Sequence, residues 1–359
     1  MARLALLDPT KKGRQAQDLE SKLRRLVVGQ EEAIHEIVTV YQSHVMGLSP
    51  AGRPIANFLF LGPTGSGKTR TVEAAAQALL NDPRAVIKID CAEFQHSHEI
   101  AKLIGSPPGY LGHRETHALL SQDTLNRHHT EKVKISLVLF DEIEKASDAL
   151  WNLLLGILDK GVLTLGDNRQ VDFSSAMIFL TSNLGASEMC SLSSPRLGFH
   201  YPTPDDAGFD EKRDAQMSRV GVEAARRKFT PEFMNRLDKI VVFKALGAEE
   251  LRRIVDIELD MVQQRIQTAA GSRSVVVRVT DSAREHLLLE GTDSRYGARP
   301  LKRAIERLLV QPMSNLIASG QIERGDYIRV SHREGSPSLM FFREAAGGEA
   351  WSVATPVAA

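Results

Sequence analysis

Eight consecutive residues have the composition and spacing of a phosphate-binding loop. The segment Gly62-Pro-Thr-Gly-Ser-Gly-Lys-Thr69 fits the pattern G-x-x-x-x-G-K-T. Its glycines let backbone N–H groups turn towards phosphate oxygens, while Lys68 would reach the β- and γ-phosphates and Thr69 would hold Mg²⁺. The residues of this predicted cradle are Gly62, Pro63, Thr64, Gly65, Ser66, Gly67, Lys68 and Thr69. The motif therefore predicts a nucleotide site that also binds Mg²⁺.

Two acids directly follow a short apolar run elsewhere in the chain. Asp141 and Glu142 come after Leu137–Phe140, which has the character of a buried strand. Parallel sheets bind ligands at the carboxyl ends of their strands, so both carboxylates are expected at the phosphate site. Asp141 would bind the hydration shell of Mg²⁺, and Glu142 would orient and deprotonate the attacking water. Together with the phosphate loop, the two acids predict hydrolysis.

An amide follows another apolar run in the same way. Thr181, Ser182 and Asn183 come after Met177–Leu180. The Asn183 amide could bond to the γ-phosphate or to the attacking water. Ser-Asn after a strand is also ordinary turn chemistry, so the residues alone leave both interpretations open.

These side chains need a sheet to bring them together, and the sequence has the strands for one. Short apolar runs that alternate with helical segments predict a mainly parallel sheet covered by helices on both faces. The runs are Phe58–Leu61, Val86–Ile89, Leu137–Phe140, Met177–Leu180 and Ile240–Phe243. Apolar residues at three- and four-residue steps predict a helix over Glu31–Val45, and a helical run spans Val72–Leu80. The stretch from Ser187 to Gly208 has no periodicity and is predicted to be a long surface loop.

The pattern changes after Phe243, which indicates a second, smaller α+β domain. Its predicted elements are a long helix over Leu251–Ile266, a strand at Ser274–Val279, a helix from Pro300, and strands at Tyr327–Val330 and Leu339–Phe342. The predicted divisions are an N-terminal arm over 1–25, an α/β domain over 26–245, the small domain over 246–345, and a disordered tail over 346–359.

Composition narrows the class of protein. The chain has 359 residues, with 45 Lys and Arg balanced by 45 Asp and Glu, and this neutrality argues against a main role in wrapping nucleic acid. No apolar run approaches the roughly 18 residues that span a bilayer, so no membrane association is expected. The two cysteines, Cys91 and Cys190, exclude a disulfide framework. We therefore expect a cytoplasmic protein.

Several motifs in order resemble those of one family, the AAA+ ATPase module of the Clp/heat-shock protein unfoldases, and above all its second ATPase domain. The similarity covers about residues 25 to 345. Besides the phosphate loop, the matching segments are Val27–Gln30, Gly105–Gly112, Phe140–Ala146, Thr181–Gly185, Phe229–Arg236 and Gly297–Arg303. The resemblance implies an AAA+ P-loop domain followed by the family's small domain, with ATP and Mg²⁺ as cofactors.

The resemblance also implies roles for individual residues. Val27 and Val28 would line the adenine pocket, and Asn183 would be the first sensor of the γ-phosphate. Arg299 would be the second sensor, at the start of a helix in the small domain. Arg236 would be an arginine finger that reaches the nucleotide of a neighbouring subunit. The alternative for Arg236 is a surface ion pair with Asp238 or Glu232.

Two further segments would contact proteins if the resemblance holds. Tyr110 and Leu111 match the family's pore loop, which grips unfolded polypeptide, and the segment 161–169 resembles its secondary pore loop. Leu197, Gly198 and Phe199 lie where ClpA and ClpC present a tripeptide to the ClpP peptidase, and ClpB-like proteins lack that tripeptide. A docking site for a ClpP-like peptidase is therefore one hypothesis, and packing of the loop on its own domain is the other.

The expected function is that of an ATP-hydrolysing motor that threads unfolded or tagged protein through a homo-oligomeric ring, a hexamer by resemblance. The roughly 25 residues before Val27 leave no room for the family's other domains, which implies a single-ring form or a fragment. One alternative is a nucleotide-switched scaffold with low turnover. The other is an AAA+ nucleic-acid motor, against which the neutral charge and the aromatic loop count.

Overall fold

A computed structural model describes residues 8–106, 118–193, 207–270, 275–292, 298–323 and 325–344, with the side chains of 190–193, 207–213 and 269–270 outside this description. The described residues form two compact units that divide between Ala245 and Leu246. Within the described ranges, no helix combines the length and the apolar character that crossing a bilayer requires.

The large unit is built on a five-stranded parallel sheet. Its strands lie in the order β2-β3-β6-β1-β7. A separate antiparallel hairpin, β4–β5, follows the long helix α6. The strands are β1 (Ala56–Leu61), β2 (Ile87–Asp90), β3 (Ser136–Asp141), β4 (Val162–Thr164), β5 (Gln170–Asp172), β6 (Ala176–Ser182) and β7 (Lys239–Val242).

Helices cover the sheet. They are α1 (Arg14–Leu26), α2 (Glu31–Val45), α3 (Lys68–Leu80), α4 (Ala101–Ile104), α5 (Gln122–Asn126), α6 (Asp148–Lys160), α7 (Ala186–Ser193), α8 (Ala207–Lys228) and α9 (Pro231–Met234). Short 3-10 turns lie at Cys91–Glu93, Ser97–Ile100 and Ile143–Lys145. The described part of the predicted N-terminal arm includes α1, which buries Ala16, Leu19 and Leu23 in the core of this unit.

The central strands are buried on both faces because their side chains are apolar on both. All six residues of β1 and all seven of β6 are buried. Phe58 of β1 stacks on Phe179 of β6 with ring centres 5.0 Å apart. A strand of this kind must lie inside a helix-covered parallel sheet, which confirms the expected fold class.

One expectation for this unit is wrong. The stretch 187–208 is not a surface loop throughout, because α7 occupies its first part and α8 begins at Ala207. Met189 of α7 is buried, and a Cβ atom on Gly221 of α8 would lie 2.8 Å from the Met189 methyl group. A close approach between two helices thus holds α7 in place without a periodic apolar pattern.

The small unit is an α+β domain, as expected. Its helices are α10 (Ala248–Ala270), α11 (Asp281–Gly291), α12 (Arg299–Ile305) and α13 (Gln311–Ala318), with a π-helical turn (Glu306–Val310) joining α12 to α13. Its strands are β8 (Val276–Val279), β9 (Tyr327–His332) and β10 (Leu339–Glu344). Strand β9 pairs parallel with β8 and antiparallel with β10. The core is a single cluster that includes Leu287, Leu301 and Val330.

Candidate nucleotide site

The phosphate loop lies between the end of β1 and the start of α3. Gly67, immediately before α3, has a left-handed backbone with φ of 101°, a conformation that a residue with a Cβ rarely adopts. Gly62 begins the loop against the residue that follows β7: a Cβ on Gly62 would lie 2.7 Å from the Phe243 carbonyl oxygen. The loop thus presents the N-terminus of α3, where backbone N–H groups favour an anion.

Lys68 is buried at the centre of this loop. Its ammonium group donates to the carbonyl oxygens of Gly62 at 2.7 Å and Pro63 at 3.0 Å, and to Asn183 Oδ1 at 2.9 Å. These acceptors are neutral oxygens on two neighbouring strand ends. A buried cation beside the N–H groups of the phosphate loop is suited to bind an anionic phosphate.

Asp141 ends β3 beside the phosphate loop. Its carboxylate lies 3.4 Å from the Thr69 hydroxyl and 3.3 Å from the Lys88 ammonium of β2. The Thr181 hydroxyl donates to Asp141 Oδ1 and accepts the Glu142 N–H at 3.1 Å. Thr181 therefore joins the two predicted catalytic acids to β6.

Glu142 has a left-handed backbone, with φ of 56°, that is uncommon for a residue with a side chain. Its Oε1 lies 3.5 Å from Asn183 Nδ2, and its other oxygen pairs with Lys145. The hydrogen bond to Glu142 raises the pKa of Lys145, because it stabilises the charged ammonium. The turn thus places the Glu142 carboxylate beside Asn183.

Asn183 connects the lysine to the acid. Its amide oxygen accepts from Lys68 and, at 3.4 Å, from Thr64, while its amide nitrogen faces Glu142. Its backbone N–H donates to Glu144 Oε1 at 3.1 Å. This arrangement favours a site role for Asn183, although its backbone also takes part in a turn.

The donor set fits a nucleotide with Mg²⁺. Thr69 and Asp141 present the hydroxyl and carboxylate oxygens that Mg²⁺ prefers. The buried Ser66 hydroxyl in the loop has no hydrogen-bond partner among the residues that the structure describes, as expected for a group that a bound phosphate would satisfy. Thr69 and Asp141 would hold the ion, and the loop would hold the phosphates.

Val27 and Val28 are buried between α1 and α2. The adjacent Gln30 links their loop to the rest of the site: its Nε2 donates to the Ser66 and Lys244 carbonyl oxygens, both at 3.0 Å. Its Oε1 accepts the Lys244 N–H at 3.2 Å. The loop that carries the two valines is therefore bonded to the phosphate loop.

Arg236 is not part of the cradle in its own chain. Its side chain donates to the Glu232 carbonyl oxygen at 2.9 Å and pairs with the carboxylates of Glu232 at 3.2 Å and Asp159 at 3.7 Å. Its own carbonyl accepts from Asn57 near the start of β1, whereas the phosphate loop follows the end of that strand. About 13 Å of strand separate Asn57 from Leu61.

The other predicted residues belong to the small unit or lie outside the described residues. Arg299 is exposed at the first position of α12 in the small unit. Tyr110 and Leu111, the predicted pore residues, lie outside the described residues, as do Leu197, Gly198 and Phe199 of the predicted docking tripeptide. Their roles stay predictions.

Comparison with known proteins shows which family the chain belongs to. A family model described as the AAA domain (Cdc48 subfamily) matches residues 53–240, more than half of the chain. The chain belongs to the AAA family. A second model, the C-terminal D2-small domain of ClpB protein, matches residues 246–330 of the AAA chain. The predicted resemblance to the Clp/heat-shock module is confirmed.

Relatives of this AAA chain include chaperones. It is 39% identical over 312 residues to the chaperone protein ClpB 1 of Parasynechococcus marenigrum, covering 87% of the chain and 33% of that relative. It is also 39% identical over 330 residues to ClpB of Rhizobium meliloti, covering 91% and 34%. The AAA chain thus spans about a third of the length of these curated relatives.

A solved structure has the same fold. A closed-state cryo-EM reconstruction of Hsp104 with ATPγS and FITC casein matches with a TM-score of 0.73 at 29% identity, covering 92% of this AAA chain and 52% of that chain.

Sequence reasoning assigned no role to four residues that help to position this site: Gln30, Thr181, Glu144 and Lys88. Three of them, Gln30, Thr181 and Glu144, lie inside segments that match the family, and Lys88 lies two residues before the end of β2. The only signal for them is that they are near assigned residues in the sequence. Which of their contacts form depends on strand order, which a single sequence does not give.

Proposed function

We propose that the chain is the ATP-hydrolysing motor of a protein-remodelling machine. The observation that carries the proposal is the meeting of Lys68, Asp141, Glu142 and Asn183 at one edge of the sheet. A phosphate-binding cation, a ligand for Mg²⁺, a general base and a positioning amide are the groups that hydrolysis of a terminal phosphate needs. The chaperone names of the ClpB relatives support protein remodelling as the use of that energy.

In this proposal each group has one task. Bound Mg²⁺ supplies charge neutralisation on the phosphate oxygens. Lys68 binds the β- and γ-phosphates, and Glu142 accepts a proton from the attacking water. Asn183 contacts both Lys68 and Glu142, so its amide can position the attacking water next to the terminal phosphate. Val27 and Val28 provide the apolar wall for adenine.

Assembly into a ring, with six subunits by resemblance, is part of the proposal. Arg236 is held at the opposite end of β1 from its own phosphate loop, which supports a role for its guanidinium in a neighbouring subunit. An arginine finger is worth roughly 10³–10⁵ in rate, so an isolated subunit would turn over very slowly. Arg299 would report the phosphate state to the small unit.

We further propose that unfolded or tagged protein is the substrate and that Tyr110 and Leu111 grip it in the central channel, in the cytoplasm. An aromatic side chain in such a loop binds polypeptide by apolar contact, which tolerates many sequences. Docking of a ClpP-like peptidase on Leu197, Gly198 and Phe199 stays a prediction; the relatives named above are chaperones.

The Tyr110→Ala variant tests the coupling of ATP hydrolysis to substrate. We expect its ATPase rate without substrate to stay within about twofold of the unaltered protein, because the proposal gives Tyr110 no task in binding or hydrolysing the nucleotide. Unfolding of a fluorescent client protein should fall by at least about tenfold. Tyr110→Phe keeps the aromatic side chain, so this variant should still unfold the client protein. Client unfolding that survives Tyr110→Ala contradicts threading, and an ATPase rate at background in the assembled protein contradicts the motor.

A further inference from the structure

Glu144 lies beside the nucleotide site but has no part in the chemistry described above. It belongs to the 3-10 turn Ile143–Lys145, directly after the left-handed Glu142. Its Oε1 accepts the Asn183 backbone N–H at 3.1 Å. This bond connects the turn after β3 to the turn after β6.

The second oxygen of Glu144 makes the residue unusual. Glu144 Oε2 is buried and has no hydrogen-bond partner among the residues that the structure describes. A buried carboxylate oxygen without a partner lowers the stability of a fold. A residue whose only task was to stabilise this turn would gain more from a side chain with no unpaired oxygen.

We propose that Glu144 is the positioning residue for the Asn183 amide. The carboxylate fixes the Asn183 backbone, and that backbone determines where the amide oxygen meets Lys68 and where the amide nitrogen meets Glu142. In this proposal Glu144 acts through Asn183 and needs no contact of its own with the nucleotide. This inference rests on the proposed role of the site in binding and hydrolysing ATP.

The role predicts an effect on one part of the nucleotide. Asn183 lies at the predicted γ-phosphate position, whereas the backbone N–H groups of the phosphate loop hold the phosphates that ADP also has. Loss of the Glu144 contact should therefore weaken binding of a triphosphate and leave a diphosphate almost unaffected. A general loosening of the fold would weaken both.

Fluorescence titration with ATPγS and with ADP measures this difference in the full chain. For Glu144→Ala we expect ATPγS affinity to fall about tenfold and ADP affinity to change less than about twofold, the scale of one charge-assisted hydrogen bond. Glu144→Gln keeps an oxygen acceptor and should behave like the unaltered protein. Glu99→Ala is the matched control, because Glu99 also accepts a backbone N–H, from His96 at 2.9 Å, far from Asn183 in the sequence; both affinities should stay unchanged.

A double-mutant cycle identifies the route of the effect. If Glu144 acts through Asn183, then Glu144→Ala has no further effect on ATPγS affinity in an Asn183→Ala background. Thermal unfolding of each variant shows whether it is folded. If Glu144→Ala does not fold, Glu144→Asp serves for the same test. Its side chain keeps the charge but is shorter by one methylene group, so the carboxylate oxygen no longer reaches the Asn183 N–H.

Three results overturn the inference: an unchanged ratio of the two affinities in Glu144→Ala, an equal loss in Glu144→Gln, or a full additional loss in the Asn183→Ala background. The test measures affinities, so it can be read even if the protein remodels no client. If Lys68→Ala binds ATPγS as tightly as the unaltered protein, the nucleotide site itself fails, whereas a flat response to Glu144 alone overturns only this role.

Discussion

At the scale of single residues, the site depends on a buried cation, Lys68, in the phosphate loop. Lys68 donates to two backbone carbonyl oxygens and to the Asn183 amide. Asp141 pairs with Lys88, and Glu142 pairs with Lys145. The two carboxylates beside the phosphate loop thus have lysine partners on neighbouring elements, while Lys68 belongs to the loop itself.

The Lys68→Ala variant should bind ATP at least about tenfold more weakly, because charge-assisted hydrogen bonds to the phosphates are lost. Thermal unfolding shows whether the variant is folded, since the buried acceptors of Lys68 lose their donor. Isothermal titration measures the affinity. Lys132→Ala, at an exposed lysine, is the control and should bind normally. Equal affinities in the two variants would show that the loop does not bind phosphate through Lys68.

At the scale of elements, close backbone approach decides how the helices of the small unit pack. Gly291 is the last residue of α11 and is buried. A Cβ on Gly291 would lie 2.6 Å from the Leu301 Cα of α12, and backbone cannot move aside as a flexible side chain can. At Gly156, within α6 of the large unit, no atom of the described residues lies within 4 Å of the Cβ position, apart from the adjacent residues and the backbone of the helix itself.

The two glycines therefore predict opposite effects. Gly291→Ala should lower the free energy of unfolding by about 1–3 kcal/mol, because the added methyl group pushes α11 away from α12. Gly156→Ala should raise it by up to about 1 kcal/mol, because alanine favours the helix and meets no neighbour. Denaturant titration measures both. Stabilisation by Gly291→Ala would show that α11 and α12 do not approach closely.

The strands of the parallel sheet are the part of the fold that the sequence predicts best. Each apolar run became a strand, extended or shifted by one or two residues, because burial on both faces leaves a continuous apolar signal. Helix α7 was missed, since a helix of eight residues that buries Met189 against a glycine has no clear period. The predicted cradle and acids do meet, but the contacts of Thr181 and Glu144 exist because β6 lies beside β3, an order that no local pattern contains.

At the scale of the whole molecule, the proposed arginine finger, Arg236, is bonded near the start of β1, and the phosphate loop follows the end of that strand. Asn57 near the start of β1 holds the Arg236 carbonyl, and Gly62 follows its end. If Arg236 is such a finger, each subunit carries part of a site at each end of β1. Head-to-tail contacts between identical subunits would then complete every site, and such contacts form a closed ring when the rotation between subunits closes.

A mixing experiment tests this arrangement. Arg236→Ala subunits keep their own cradle, and Glu142→Gln subunits keep the finger, so each alone should be nearly inactive. Mixed in equal amounts, they should recover about a quarter of the unaltered ATPase rate, because half of the sites have Glu142 and half of those face an intact finger. Phosphate release measures the rate. No recovery, with mixed rings verified by labelling, would show that Arg236 does not act between subunits.

The hydrogen bonds between Gln30 and Lys244 can form only late in the synthesis of the chain. The two residues are 214 positions apart, and Gln30 holds the Ser66 carbonyl as well. A ribosome adding about 5–20 residues per second needs roughly 10–40 s to pass from one to the other. The edge strand β7 is also absent until then. A nascent chain can therefore form the bond between Gln30 and its phosphate loop long before Gln30 can bond to Lys244, and the five-stranded sheet is complete only when β7 has been made.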